Sequence, residues 1–199
     1  MSEHSVRTPA TANRALILDA AVRVIGRDGV AQLKSAVVAR EAGVSVGLVH
    51  YHFDTLDQLA REAFLYADAI TLRAMAEAAS SSASGREEID ARLFPWLGGS
   101  DEFDQAWEVW GEFWHVSRHD EDVRAILRES WDEWVQLIAE AVDRGRRDGS
   151  IAEDARPQDA ARRLAALLES LGQQLTMELI TAEDARGLLR GAIEREFPE

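Results

Sequence analysis

The chain has 199 residues, 22 Lys+Arg against 36 Asp+Glu for a formal net charge of −14, and no cysteine. This length suits one domain or two small ones, and it buries a core without staples. The missing thiols exclude disulfides, Cys-ligated zinc, iron–sulfur clusters and thiol catalysis, while a hydrophobic content of 46% excludes wholesale disorder.

No stretch approaches the ~18 uninterrupted apolar residues of a membrane span, and the opening MSEHSVRTPATANR has no apolar signal core. A soluble cytoplasmic protein with no membrane partner is therefore expected. The charge is unevenly placed. Residues 1–64 hold seven basic and seven acidic side chains, so residues 65–199 carry the whole −14. Averaged over the chain the charge argues against nucleic acid; resolved by segment it does not.

The elements read as helices throughout. With only four prolines, long stretches are free to be helical, and no alternating strand pattern is found. Thr11 is the candidate N-cap of a first helix whose Ile17, Ala20, Ala21, Val24 and Ile25 repeat at three- and four-residue spacing, with Gly29 as its stop. A short second helix spans 35–42 and ends at Gly43; Ser45 caps a third over 46–52. Thr55 with Gln58 opens a long fourth helix that runs to the serine-rich 80–85. Five more follow at 86–97, 102–118, 121–147, 157–180 and 182–196, the last capped by Thr181 with Asp184. The fold class is all-α with nine helices.

Val38 to Phe53 is the most specific segment. Two short helices joined by a Gly-containing turn, the second with a Ser cap, make a helix-turn-helix or an ordinary helical hairpin. In the first case Val38, Ala39, Val44 and Val49 pack the pair and the far face of the second helix enters a major groove.

At these residues the sequence resembles the TetR family of bacterial transcription regulators. The match is carried by Val38-Ala39, Ala42-Gly43-Val44-Ser45, Gly47, Val49, His52-Phe53 and Leu59. The resemblance implies a DNA-binding domain over 1–54, a ligand-binding and dimerisation domain over 55–199, and a homodimer on double-stranded operator DNA. It places Lys34, Ser35, Ser45, Val46, Gly47, Leu48, His50, Tyr51 and His52 at the operator. Tyr51 suits a thymine methyl, and His50 and His52 suit phosphates. Lys34, His50 and Leu56 depart from the usual Thr, Tyr and Lys of the family pattern. With a neutral segment, phosphate binding falls to Arg14, Lys34, Arg40 and Arg7.

All six tryptophans, Trp96, Trp107, Trp110, Trp114, Trp131 and Trp134, fall within one 39-residue window. Phe103, Trp107, Trp110 and Trp114 share a helical face, and Val123, Leu127, Trp131, Trp134 and Ile138 make a similar stripe on the next helix. Such stripes form either an aromatic core or a cavity wall. With Glu108 and Glu112 interleaved, a small-molecule effector in the form of an organic cation is expected through cation–π attraction. The Trp-rich helix and the Arg146-Arg147-Asp148-Gly149-Ser150-Ile151 turn are loosely similar to choline-responsive BetI-like regulators. A neutral aromatic or fatty ligand is the other option.

Glu108, Glu112, His115 and His119 share a stripe that reads as solvated rather than as a metal site, and no cofactor is expected. No nucleophile elbow, phosphate loop or HExxH segment points to an enzyme. Leu164, Leu168, Leu171, Leu175, Leu189 and Ile193 form apolar strips on the last two helices. They are expected to pair with their copies across a two-fold axis. The reading is a repressor released by a ligand from a palindromic operator, with a helical adaptor that has lost DNA binding as the alternative.

Overall fold

The computed structural model describes residues 9–98 and 100–198, leaving Arg7 and the N-terminal arm outside. Among the described residues there are nine α-helices and no strand. α1 (Pro9–Asp28) starts ahead of the expected cap, so Thr11 lies in its first turn. Its Ile17, Ala20, Ala21, Val24 and Ile25 are all fully buried. After a short 3-10 turn at Val30–Gln32 come α2 (Ser35–Ala42) and α3 (Val46–His52). Gly43 joins them at φ 68°, and its N–H reaches back to the carbonyls of Ala39 and Arg40. A side chain in this left-handed conformation would be strained.

α2 has Lys34 at its N-cap without a side-chain bond, and Ser35 is its first residue rather than its cap. Ser45 does cap α3, its hydroxyl accepting from the Leu48 N–H at 3.2 Å. α4 (Leu56–Ala79) is capped by Thr55, which accepts from Gln58 N–H at 3.0 Å.

The second half contains α5 (Gly85–Leu93), α6 (Asp101–Ser117), α7 (Glu121–Asp148), α8 (Pro157–Thr176) and α9 (Ala182–Glu196). α5 stops earlier than expected because Pro95 has no N–H to continue the ladder, and Phe94–Trp96 tighten into a 3-10 turn. α8 likewise ends at Thr176, where the chain turns through Glu178 at φ 55°. The capping box of Thr181 and Asp184 is present on α9.

Two apolar cores hold the chain. One is built from α1 to α3, the first half of α4, and Val109, Trp110, Phe113, Val123 and Leu127 of α6 and α7. The other joins Met75 of α4 to α5, α8, α9 and the remaining faces of α6 and α7. The cores therefore divide within α4 and across α6, not at residue 54.

Candidate functional site

Two regions carry the chemistry. On α3, Val46, Gly47, His50 and Tyr51 are exposed, with Tyr51 at 77%. Their spacing puts them on one face, beside the exposed Ser45 and Lys34. Val49 is buried against α1 and α2, and Leu48 packs on the same core, so Leu48 is withdrawn from that face. His52 is half-buried and its Nε2 is buried without a partner; that nitrogen cannot reach a phosphate. Ser35 is half-buried.

The arginines divide. Arg14 is ion-paired to Glu62 and stacks 5.2 Å over Phe53, so it braces α1 against α4 while its side chain stays partly exposed. Arg23 and Arg27 share Glu41. Lys34 and Arg40 are exposed, with no side-chain hydrogen bond or ion pair among the described residues.

The second region is a cavity lined by Trp96, Trp107, Trp110, Trp131 and Trp134 together with Asp68, Leu72 and Glu169. Four helices and the 3-10 turn build it. Trp96 stands edge-on to Trp107 at 5.1 Å and is tilted against Trp134 at 5.7 Å, and Trp131 meets Trp134 at 5.6 Å. Trp107 is fixed twice over. Its Nε1–H donates to the Trp96 carbonyl at 2.7 Å, and its ring fills the place where a side chain at Gly172 of α8 would stand. The indole N–H groups of Trp96 and Trp134 are buried and unpartnered. Free space inside is about 20 Å³, room for about one water.

Both carboxylates in this wall come from residues outside the Trp window. Burial in the apolar wall pushes the Asp68 carboxyl up to about 6; a hydrogen bond from Ser130 opposes this and nearby Glu133 adds to it. Burial also raises Glu169. A ring of π faces with two carboxylates is a negative, largely dry enclosure that suits a cation lacking N–H groups.

Three of the expected ligand residues lie elsewhere. Glu108 and Glu112 are about 100° and 140° round α6 from Trp107, since each residue turns the helix by about 100°. They face α1 and the turn after it: Glu108 lies against Gly26 of α1, and Glu112 accepts the N–H of Val30 in the 3-10 turn at 2.9 Å. Trp114 keeps the Trp107 face but lies about 10 Å farther along the axis. It is 39% exposed and lines an open groove with His115, Arg118 and Arg124 that shares Glu169 with the cage wall.

The dimerisation residues also need correction. Leu164, Leu168, Leu171, Leu189 and Ile193 are at most 2% exposed within the single chain, because α8 and α9 bury their strips against α7 and each other. They have no surface left for a second copy. Leu175 is half-buried, and Met177, Leu179 and Leu188 are exposed nearby in the chain.

Comparison with known proteins agrees with this architecture. Residues 85–198 match the family described as "BetI-type transcriptional repressor, C-terminal", and residues 17–63 match "Bacterial regulatory proteins, tetR family". The chain belongs to the TetR family of transcriptional regulators, with a BetI-type C-terminal domain. It is 34% identical over 117 residues to the HTH-type transcriptional regulator BetI of Agrobacterium fabrum, a match spanning 57% of this chain and 55% of that protein. The chain thus aligns with only about half the length of that relative.

A solved TetR-family regulator from Rhodococcus sp. superposes with a TM-score of 0.84 at 29% identity, covering 93% of this chain and 98% of that one. A regulator from Saccharomonospora viridis, solved in complex with choline, gives 0.82 at 26% identity, covering 95% and 99%. The matched relatives are transcriptional regulators, and the helix-turn-helix match over 17–63 favours the regulator over the adaptor. No described helix is long and apolar enough to cross a membrane.

Proposed function

We propose that this TetR-family chain is a homodimeric repressor that leaves a palindromic operator when a quaternary ammonium compound of choline's size enters the tryptophan cage. The carrying observation is the convergence of five tryptophans with Asp68 and Glu169 on one cavity. The choline complex of the similar Saccharomonospora viridis regulator supports the same ligand class.

A desolvated cation–π contact contributes about 2 kcal/mol, and several faces act at once here. The free space of about 20 Å³ is too small for a trimethylammonium group, so the walls on α4 and α6 must part as it enters. Binding energy is thereby tied to a second arrangement of the helices that meet the DNA-binding core. Favouring that arrangement 100-fold takes ~2.7 kcal/mol of differential affinity.

The test is a tryptophan-fluorescence titration with choline and with its uncharged isostere 3,3-dimethylbutan-1-ol, followed by gel shifts on the chain's own upstream DNA. Choline is expected to bind at least about tenfold more tightly and to release the DNA. An isostere that binds as well and releases as well overturns the cation reading.

A further inference from the structure

α6 stands between the cage and the DNA-binding helices and touches both. On one side Trp107 and Trp110 line the cage. On another, Val109 and Phe113 are at most 1% exposed in the core shared with α1 to α4. Trp110 belongs to both environments, its ring edge-on to Phe64 of α4 at 5.1 Å. Apolar contacts of this kind transmit a push, but they also permit sliding.

A directional contact crosses the same seam. The Val30 N–H donates to Glu112 Oε2 at 2.9 Å, and the carboxylate rests against Gly29. Val30 opens the turn that leads from α1 into α2, the first helix of the DNA-reading pair. Glu112 is half-buried and pairs with no cation among the described residues. Its Oε2 accepts from this backbone group, 82 residues away in sequence. A hydrogen bond from a backbone N–H to a carboxylate oxygen is directional, and it fixes position where packing alone does not.

We propose that Glu112 is the positioning residue through which α6 passes the state of the cage to the helix-turn-helix: its carboxylate holds the α1–α2 turn to the helix that carries Trp107 and Trp110. When those indoles are displaced, Val30 is drawn with them. This route runs beside α4, whose first half is already part of the DNA-binding core. The ligand-driven half of the inference rests on the cage reading above; the connection itself does not.

The experiment uses the full chain with Glu112→Ala and Glu112→Gln. One arm measures choline affinity by tryptophan fluorescence, then operator affinity with and without saturating choline. In the unsubstituted protein choline is expected to weaken operator binding by about fivefold or more, a usual coupling between sites. Glu112→Ala should bind choline within about twofold of normal while that ratio falls below about twofold, and Glu112→Gln, which keeps an acceptor oxygen, should restore most of it.

The second arm needs no ligand. All six tryptophans lie between residues 96 and 134, so a change in their emission on adding operator reports the cage side of the molecule. If the α1–α2 turn and α6 move together, operator binding should change that emission in the unsubstituted protein, and Glu112→Ala should lose the change. A Glu112→Ala protein with the normal coupling ratio or the normal emission response overturns the proposal, as does an unsubstituted protein whose emission ignores operator. If choline does not bind the unsubstituted protein, the ligand reading fails and the emission arm still decides on Glu112.

Discussion

Asp68 shows what a single residue does in this wall. Its carboxyl binds a proton more tightly in the fold, at about 6, than at its ordinary 3.8, so the folded state takes up a proton as pH falls through 6. Stability of the unliganded protein from this group therefore rises as pH is lowered from 7 toward 4, by on the order of 3 kcal/mol at most. Glu133 of α7 acts on the same carboxyl, and Glu169 of α8, which lines the same cavity and is raised by its own burial, contributes in the same direction. Carboxylates held low by arginine, such as Glu88, lose their contribution only below their ordinary range.

A bound cation favours the ionised Asp68, so choline affinity should fall as pH drops below 6, by up to about tenfold per unit. Asp68→Asn should lower affinity about tenfold or more at pH 7.5, raise unliganded thermal stability there, and flatten both profiles between pH 5 and 7. Calorimetric titrations and melts across that window check it; an unchanged slope removes Asp68 from the site.

The shared faces of Trp107 with Trp110 and of Trp131 with Trp134 were legible because indole spacing follows the helix period, which also brought in Trp114. Trp96 was marked only by its place in the window, and proximity in sequence put Glu108 and Glu112 on the wrong side of α6. A better signal was present. Asp68 sits in the apolar stripe Phe64, Ala67, Thr71, Met75 of α4, and Glu169 follows Leu168 on α8. A charged residue inside a buried stripe is costly unless something answers it.

At the scale of elements, helix positions followed from caps and breakers, and the departures have local causes: Pro95 shortens α5, and Glu178 turns the chain after α8. Which surface an apolar strip meets is not encoded in the strip. Leu164, Leu168 and Leu171 suit a neighbouring helix or a second copy equally well, and only the packing of α7 against α8 decides. Gly172 illustrates the close fit this produces. A methyl group there would overlap the six-membered ring of Trp107. Gly172→Ala should push α8 from α6 and lower stability by about 1–3 kcal/mol, read as a drop in Tm. It should also weaken choline binding, since Trp107 cannot hold both its place in the wall and its bond to the Trp96 carbonyl. Normal stability together with normal affinity would show that this contact yields without cost.

For the whole molecule the division of charge matters first. The DNA-reading segment is neutral, and Arg14, Arg23 and Arg27 are paired with carboxylates while Lys34 and Arg40 are exposed with no ion pair among the described residues. Operator affinity should depend weakly on salt for a protein of this kind, and Lys34→Ala should reduce the logarithmic salt slope by about 0.9 per half-site. In the proposed homodimer, specific binding then depends on two copies holding α3 at the spacing of successive major grooves, about 34–36 Å.

The surface that joins the copies cannot be the leucines buried in each chain. Exposed apolar residues remain where α8 ends and α9 follows: Met177 at 57%, Leu179 at 66% and Leu188 at 52%. Placing Glu at both 177 and 188 adds like charges to an already acidic face, so two copies would have to bury four carboxylates with no fixed partners. Met177→Glu/Leu188→Glu should run as a monomer by light scattering and lose operator binding, because one helix-turn-helix retains only half of the contacts. Choline affinity should persist, since every wall of the cage belongs to one chain. If the doubly substituted protein stays dimeric at micromolar concentration, the two-fold contact lies on another face of the molecule.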